Sequence, residues 1–498
     1  MNHDVAVIGA GVSGLAAALV LARHGRSVVL VEAGPRLAPV LRGFKRKGVC
    51  FDTGFHYAGC LSPHQTLGVY FRALGLSGQI ELSPPLTSLT DTYRHEGFHC
   101  DFPYGYDALR QALTSRFPED AAGVWLYLDA VKALFENNLH CNLALDTRTT
   151  SAHIAERTLF TGRTLGQMLD LWLTAPDLKA MLGMHSLLYG TDAAQISFPD
   201  HACFVGSYYQ SSNRILGGGR SLTQAFEAAL RAASVTVLTG RGVAAILASE
   251  SGEVTGLRLE DGEILACRQC VASIHPRQVV ALAPESAFRP AYRQRLASLE
   301  ETFSAYALFA AATRSIPLLE RGNLHLGPGK GFRLARPAET ALERRPLFIA
   351  QSVDVDPERR AGIAILCPAA LSETADWIAS TPKTRPAAYR SFKVEVGRRL
   401  LAATLAAYPE LDDGLEVMDL ATPLTFRDYA HSPLGSLYGT RHGVDCLAPL
   451  PVTRLKGLYL AGQAVAGPGV LGAVISAYAA CGLICGKEQV REELRKWL

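Results

Sequence analysis

Three glycines near the N-terminus have the spacing of a phosphate-binding turn. Gly9, Gly11 and Gly14 form the pattern G-x-G-x-x-G. In such a pattern the first glycine makes a tight turn, the second lets backbone approach a pyrophosphate, and the third lets a helix pack closely on a strand. Glu32 follows the last glycine by 18 residues, a distance that suits an acid holding a ribose hydroxyl. The pattern predicts a dinucleotide with an unphosphorylated ribose, FAD or NAD rather than NADP.

The elements that must position these residues follow in the required order. Val5–Ile8 reads as a buried strand and Leu15–Arg23 as a helix, whose N-terminal amides would point at the phosphates. Ser27–Val31 predicts a second strand that ends at Glu32. Further cofactor contacts are expected from Val12, Ser13 and Ala33.

A second glycine-rich turn lies near the C-terminus. A strand predicted at Gly457–Leu460 leads into Ala461-Gly462-Gln463, and another turn then opens a final helix. This turn adds a second set of amides and a second positive helix end. A nicotinamide domain needs only one such site, whereas a longer dinucleotide with a flavin ring can use two, so the pair of turns favours FAD. The contacts expected here are Gly462, Gln463, Gly469, Val470 and Leu471.

A polar turn between these two regions is predicted to form a wall of the site. Asp52, Thr53 and Gly54 are small or polar, follow the first unit closely and are expected to contact the cofactor. His56 and Tyr57 come next and are candidate catalytic residues beside the flavin ring. The alternative is that they form a hydrogen-bonded pair that braces the Asp52 turn.

A third candidate catalytic residue lies further along the chain. His201 stands close to Tyr208 and Tyr209, just before the glycines at 217–219, and is a candidate for the substrate side. A histidine buried and hydrogen-bonded for structural reasons is the alternative.

Composition excludes several classes of function. The 498 residues suffice for two or three domain-sized units, and a net charge of +3 gives no argument for nucleic acid as a partner. The sequence holds no uninterrupted apolar run of about 18 residues outside the glycine unit, as a membrane-spanning helix would need. Asp4 stands where a secretory signal would be basic. These observations predict a cytoplasmic protein.

The cysteines do not predict a metal site. They are eleven in number and scattered, and Cys267 and Cys270 form the one C-x-x-C pair. A structural zinc site needs four ligands, and no second pair stands at a suitable spacing. The pair is interpreted as small buried hydrophobes, with a redox dithiol as the alternative.

Several other segments have a readable pattern. Ser88–Asp101 predicts a hairpin, while 106–137 and 165–189 read as mainly helical. The second of these helical stretches is apolar nearly all round, which fits the core, a tunnel wall or membrane contact. The C-terminal helix carries Val490, Leu494 and Trp497 at helical spacing, either packed on the body or turned to a lipid surface.

Four motifs together resemble a known family. They are GAGVSGLAAALVLARHGRSVVLVEA at Gly9–Ala33, FDTGFHY at Phe51–Tyr57, TPLTFRDYAHSPLGSLYG at Thr422–Gly439 and LYLAGQAVAGPGVLGAVISA at Leu458–Ala477. The chain resembles the phytoene desaturase group of FAD-dependent oxidoreductases, within the amine oxidase-like class. Its retinol saturase and carotenoid isomerase members are the most similar branch.

The resemblance implies an α/β fold of two interleaved domains. A Rossmann-like FAD domain would comprise residues 1–80, 212–290 and 421–498, with Val243 beside the adenine end. A substrate domain of mixed α+β structure, with an apolar tunnel, would comprise 81–211 and 291–420. One departure stands out: where the family usually carries a glycine pair after the acid, this chain has Ala38-Pro39. Proline lacks an amide donor, so the loop either holds the cofactor differently or binds it less tightly.

The resemblance also implies chemistry on a polyene or isoprenoid-type apolar substrate, with FAD doing the redox work. Desaturation, saturation with reduced flavin and cis–trans isomerisation all stay open, because the three reactions would share one site. Expected partners are the apolar substrate, a donor that reduces the flavin, and a membrane surface, on the inner face of which the protein would lie peripherally. A flavin amine or amino-acid oxidase, and an inactive apolar-ligand carrier, are the alternatives.

Overall fold

The computed structural model describes residues 2–83, 89–145, 158–327, 329, 337–354, 356, 359–412 and 414–498. The strands are β1 Asn2–Ile8, β2 Val28–Glu32, β3 Phe44–Arg46, β4 Val49–Phe51, β5 Ala58–Gly59, β6 Thr90–His95, β7 Phe98–Pro103, β8 Ser212–Asn213, β9 Thr236–Thr239, β10 Val243–Ala248, β11 Val254–Leu259, β12 Ile264–Ala272, β13 Ser304–Ala311, β14 Leu324–Leu326, β15 Leu347–Gln351, β16 Gly362–Ala369, β17 Glu416–Ala421 and β18 Leu458–Leu460.

The α-helices are α1 Val12–Arg23, α2 Thr66–Ala73, α3 Tyr106–Arg116, α4 Ala121–Glu136, α5 Leu165–Trp172, α6 Pro176–Gly183, α7 Phe198–Gln210, α8 Gly218–Ala232, α9 Pro276–Leu282, α10 Pro290–Ala297, α11 Pro317–Arg321, α12 Ala387–Ala407, α13 Pro423–Tyr429, α14 Gly469–Cys485 and α15 Lys487–Arg495.

The first sheet collects strands from distant parts of the chain. Its order is β10-β11-β12-β1-β2-β9, and β18 pairs with the C-terminal end of β12. Strands β2, β1, β12 and β18 run parallel, so their carboxyl ends meet at one edge. In open parallel sheets ligands bind outside that edge. The fold therefore brings the turns after β1 and β18 together, although some 450 residues separate them in sequence.

The second sheet is mostly antiparallel. Its order is β17-β13-β16-β15-β14-β6-β7, with β14 and β6 as a parallel pair. All eight residues of β13 are buried, because β16 and β17 flank the strand and α12 covers one face. The predicted hairpin is present as β6 and β7, although its first expected residue, Ser88, lies outside the described residues.

The α/β fold class with a second, mixed domain is confirmed. Every strand of the first sheet falls within 1–80, 212–290 or 421–498, and the second sheet uses 81–211 and 291–420 apart from Ala421 at its edge. This distribution accords with the domain boundaries, which stay a prediction.

The apolar stretch at 165–189 is not one helix. It divides into α5, α6 and a 3-10 turn at Met184–Leu188, because Pro176 lacks the N–H that a continuing helix would need. The Asp120 carboxylate accepts the N–H groups of Thr174 and Ala175 at 2.7 Å and so holds the break. Most of these side chains are buried, as a core position requires.

Two other sequence features can be located. Val490 and Leu494 of α15 are buried against the body, and Arg491 and Arg495 donate to carbonyls at 139–145, which favours packing over a lipid surface. Cys267 and Cys270 are buried, unbridged residues of β12. None of the helices in the described part of the chain combines the length and apolar character that crossing a bilayer requires.

Candidate functional site

The N-terminal glycine turn has the geometry that a pyrophosphate needs. Gly9 adopts φ +92°, and a Cβ on Gly14 would lie 1.9 Å from the Gly9 carbonyl oxygen, so neither position accepts a side chain. A Cβ on Gly11 would meet nothing within 4 Å. The space in front of Gly11 is open, and the Ser13 hydroxyl beside it is buried without a partner in the described residues. These features fit the phosphates of FAD.

Glu32 ends β2 beside this turn. Its carboxylate accepts the Ala10 N–H at 2.8 Å and the Gly34 N–H at 2.7 Å. Each carboxylate oxygen has a second lone pair, which remains for a ribose hydroxyl. Ala33, which lies between Glu32 and Gly34 in sequence, is exposed.

Ala38, in the Ala38-Pro39 departure, adopts a backbone shape that glycine favours. Ala38 is buried and adopts φ +50°, the left-handed region that glycine favours. Its N–H donates to the Ala10 carbonyl at 2.9 Å and ties the loop to the glycine turn. The loop therefore retains its approach to the turn, and the cost is strain at Ala38.

Replacing Ala38 by glycine is expected to raise the free energy of unfolding by about 0.5 to 1 kcal/mol, because the left-handed penalty exceeds the added freedom of the unfolded chain. Urea unfolding would measure it. Ala229→Gly, inside α8, is the matched control and should lose about 1 kcal/mol. A loss at both positions would contradict the strain at Ala38.

The C-terminal turn faces the first one across the sheet edge. Gly462 has φ +115° and donates its N–H to the Ser476 hydroxyl at 2.9 Å, while the Gln463 carbonyl lies 3.2 Å from His442 Nε2. Gly469 has φ +77° and starts α14. The first amides of that helix have no partner within it, so they are available to a negatively charged group.

The Asp52 turn faces a helix. The Asp52 carboxylate accepts the Gly219 N–H at 2.9 Å at the start of α8, and Thr53 Oγ1 donates to the Val40 carbonyl at 2.6 Å. A Cβ on Gly54 would lie 2.4 Å from the Val40 side chain. These contacts brace the turn, so Asp52 and Thr53 direct their polar groups at protein rather than at the glycine turns.

Burial raises the pKa of Asp52 from 3.8 to about 7, although the Gly219 N–H and the Ser352 hydroxyl favour the carboxylate. The folded state therefore binds this proton more tightly than the unfolded state does. The free energy of unfolding consequently falls as pH rises from about 4 to 7, because the unfolded state loses the proton first. We expect Asp52→Asn to gain about 1 kcal/mol or more relative to the native chain between pH 5 and pH 8. Urea unfolding at both pH values measures the gain, with the exposed Asp129→Asn as control. Parallel pH profiles would contradict it.

A cavity of 250 Å³ lies between α7 and α14. Its walls come from the ribbon at β5, one side of α7 and the first turns of α14. Its lining reaches the surface at Asn138 and His140, which form its mouth, and at Ala466 and Gly469 on the α14 side. The lining includes Ala58, Gly59, Phe204, Ser207, Tyr208, Gly467, Gly469, Val470, Leu471 and Ile475. Among the described lining residues there is no carboxylate. A narrow, largely apolar space of this kind suits an apolar ligand.

Tyr208 presents a phenol to this cavity. Its hydroxyl oxygen lies 3.8 Å from the point that a Cβ on Gly469 would occupy, and the described residues form no hydrogen bond with it. Burial raises its pKa to about 12, so the phenol holds its proton at neutral pH.

Tyr57 lies behind Tyr208. The two rings meet edge to face with centroids 5.1 Å apart. Tyr57 Oη is 3.4 Å from Tyr104 Oη, and Tyr104 donates to Asp91 Oδ2 at 2.8 Å. His56 packs on Phe348, and neither ring nitrogen has a partner in the described residues; burial, helped by the Arg214 charge, lowers its pKa to about 4.

His201 does not line the cavity. It is fully buried, and its two ring nitrogens lie 2.8 Å from Tyr127 Oη and 2.9 Å from Tyr189 Oη. Burial lowers its pKa to about 3. The geometry therefore favours the structural alternative for His201 over a catalytic role. Val243 begins β10, the edge strand of the first sheet, and pairs there with Leu259 of β11.

Sequence reasoning missed the buried carboxylate behind Tyr57. Asp91 Oδ1 accepts the backbone and side-chain N–H groups of Asn323 at 2.7 and 3.0 Å, and Asp91 Oδ2 lies 3.0 Å from His325 Nε2. Arg214 joins the cluster through Asn323 Oδ1 at 3.0 Å. Asp91 lies in β6, Arg214 directly follows β8, and Asn323 and His325 lie at β14. The cluster therefore joins segments that are far apart in sequence, and no motif could have revealed it.

Comparison with known proteins assigns the fold to a family. The model of the family "Flavin containing amine oxidoreductase" matches residues 12–485. The chain belongs to this family. Membership in the flavin-containing amine oxidoreductase family confirms FAD as the cofactor and an oxidoreductase as the class of enzyme.

Individual relatives of this flavin-containing family confirm the resemblance to the phytoene desaturase and retinol saturase group. All-trans-retinol 13,14-reductase of Homo sapiens is 25% identical over 537 residues, covering 99% of this chain and 86% of the relative. A 4,4'-diapophytoene desaturase of Staphylococcus haemolyticus is 26% identical over 197 residues, 38% of this chain and 39% of the relative. An oxidoreductase structure from Methanosarcina mazei has a TM-score of 0.69 at 16% identity, covers 96% and 99% of the two chains, and shows the fold alone.

Proposed function

We propose that this protein is an FAD-dependent enzyme that reduces a carbon–carbon double bond of a conjugated apolar polyene. The observation that carries the proposal is the similarity to all-trans-retinol 13,14-reductase, which extends over 99% of the chain. The similarity to a desaturase covers only 38% of it, which supports reduction over desaturation or isomerisation. The cavity, whose lining has no carboxylate in the described residues, suits a substrate without charge.

The proposal gives each turn a task in holding FAD. The open space at Gly11 and the orphan hydroxyl of Ser13 would receive the pyrophosphate, and Glu32 would accept from a ribose hydroxyl. The amides of Gly469, Val470 and Leu471 would contribute a positive helix end. Bound FAD would supply the hydride chemistry. The protein's part is to orient the polyene and keep water away from it.

The cavity mouth gives the substrate a way in from the surface. A polyene partitions into lipid, so the enzyme would collect it at a membrane surface, and a cellular donor would return electrons to the flavin. The exposed apolar side chains of Trp125 and Leu126 on α4 and of Leu171 on α5 support such contact.

An anaerobic reduction assay tests the proposal. Purified protein would be reduced with dithionite under nitrogen and mixed with all-trans-retinol, with product identified by chromatography and mass. The expected product is heavier than the substrate by two hydrogens, formed in step with return of the oxidised flavin absorption. Unchanged retinol together with stable reduced flavin would refute a polyene reductase.

The second candidate is an amine oxidase, which the family's name supports. A protonated amine is held by a carboxylate or an aromatic cage, and the described cavity lining offers no carboxylate. Peroxide formation with a panel of amines in air would favour this candidate. A protein that binds retinol but has no flavin, and takes up none when FAD is added, would instead be an apolar carrier.

A further inference from the structure

The reduction of a double bond needs a proton as well as a hydride. A polyene is apolar and cannot supply one, and a side chain positioned in the cavity wall transfers a proton more effectively than bulk water does. The proton-bearing side chains of the described lining are His140, Cys141, Cys203, Ser207 and Tyr208. His140 is exposed at the mouth, and Cys141 and Cys203 line the same end near Asn138.

Tyr208 differs from these groups in position. Its hydroxyl stands beside Gly469, at the start of the helix that the proposed function assigns to the cofactor. None of the described residues forms a hydrogen bond with this hydroxyl, so its proton is available to a ligand in the cavity. The positive end of α14 is also beside it, and would stabilise negative charge that develops on the oxygen.

The ring of Tyr208 is held from behind. Tyr57 packs against it edge to face, and Tyr57 is itself stacked on Phe348 with centroids 6.0 Å apart. The Tyr57 hydroxyl is fixed by Tyr104, whose own hydroxyl donates to the buried carboxylate of Asp91. A chain of packed rings and hydrogen bonds thus sets the orientation of Tyr208.

We propose that Tyr208 is the catalytic acid of the polyene reduction and that Tyr57 is the residue that positions it. The proposal rests on the proposed function. One carbon of the double bond receives a hydride, with its two electrons, from the reduced flavin, and the other carbon receives the proton of the Tyr208 O–H. The π bond and the O–H bond break and two C–H bonds form. The phenolate then regains a proton from water at the cavity mouth.

The test compares single turnovers of the reduced holoenzyme with all-trans-retinol. Tyr208→Phe keeps the ring and removes the proton, and we expect flavin reoxidation by retinol to slow by about 100-fold or more. Reoxidation of the same preparation by ferricyanide, which needs no proton on carbon, should stay within twofold of the native rate. Tyr189→Phe is the matched control: it also removes a buried hydroxyl, from His201, outside the cavity, and should leave both rates unchanged.

Two further measurements separate an acid from a structural residue. In deuterated water the native enzyme should show a slower turnover and place two solvent deuteriums in each product, because the flavin N5 hydrogen exchanges with solvent as the phenol proton does. Difluorotyrosine at position 208 keeps the shape and makes the phenol more acidic, so the pH at which the retinol rate falls should shift downward. Tyr57→Phe removes only the hydroxyl and keeps the ring packed against Tyr208. This variant should therefore slow the retinol reaction less than Tyr208→Phe does.

The outcomes distinguish the two proposals. Native turnover of retinol with an equal rate in Tyr208→Phe, or an unshifted pH profile in the difluorotyrosine protein, overturns the role of Tyr208 and leaves the polyene reductase standing. No turnover by the native enzyme, while ferricyanide still reoxidises its flavin, overturns both.

Discussion

Gly11→Val is expected to abolish FAD binding while leaving the fold intact. A Cβ at this position meets nothing within 4 Å, so the protein itself accepts the valine. The side chain would fill the open space in front of the turn, where a pyrophosphate must approach the backbone. We expect FAD affinity to fall at least about 100-fold, or about 2.8 kcal/mol at 1.4 kcal/mol for each tenfold.

Titration of the apoprotein with FAD, followed by flavin fluorescence, measures this loss. Gly78→Val is the matched control, because a Cβ there also meets nothing within 4 Å and the residue lies in a short 3-10 turn outside the cofactor cleft. Both variants should unfold at nearly the native temperature. A Gly11→Val protein purified with one flavin per chain would rule out the N-terminal turn as the pyrophosphate site.

Asp91→Ala is expected to cost about 3 to 5 kcal/mol of folding free energy. Asp91 is fully buried, and its two carboxylate oxygens are hydrogen-bonded to Asn323, Tyr104 and His325. Removing the carboxylate would leave those donors without an acceptor and the nearby charge of Arg214 without its counterion. Buried groups left in this state cost far more than the net gain that a satisfied pair provides.

Urea unfolding at neutral pH measures the loss. Glu395→Ala is the control, because its pair with Arg398 is exposed on both sides and screened by solvent, so this variant should unfold almost as the native chain does. Asp91→Asn keeps the shape and one acceptor, so it should fall between the native chain and Asp91→Ala. A loss below about 1 kcal/mol for Asp91→Ala would contradict the view of this cluster as the buried support of the site.

Much of the fold could be predicted because its signals are local. The glycines at 9, 11 and 14 must sit between a strand and a helix, and the structure gives Gly9 its positive φ and Gly14 its close approach. Glu32 ends β2 as its spacing requires. The break within 165–189 was also readable in principle, because Pro176 carries the signal in its missing N–H.

The candidate site was less readable because it depends on contacts between distant segments. His201 and Tyr208 lie seven residues apart on α7, yet one is enclosed by Tyr127 and Tyr189 and the other faces the cavity. Helical spacing alone could not separate them. The strain at Ala38 was equally hidden, since a sequence records the loss of a glycine but not the dihedral angle that remains.

The sequence by itself determined the cofactor unit, the class of fold and the two glycine turns, because each is written in residues that are neighbours along the chain. Only the tertiary structure decided that the turns face each other, that Asp52 braces a helix, and that the Tyr208 hydroxyl lies in the cavity wall beside Gly469. These facts depend on burial and on partners hundreds of residues away. Packing sets both, and no local pattern encodes them.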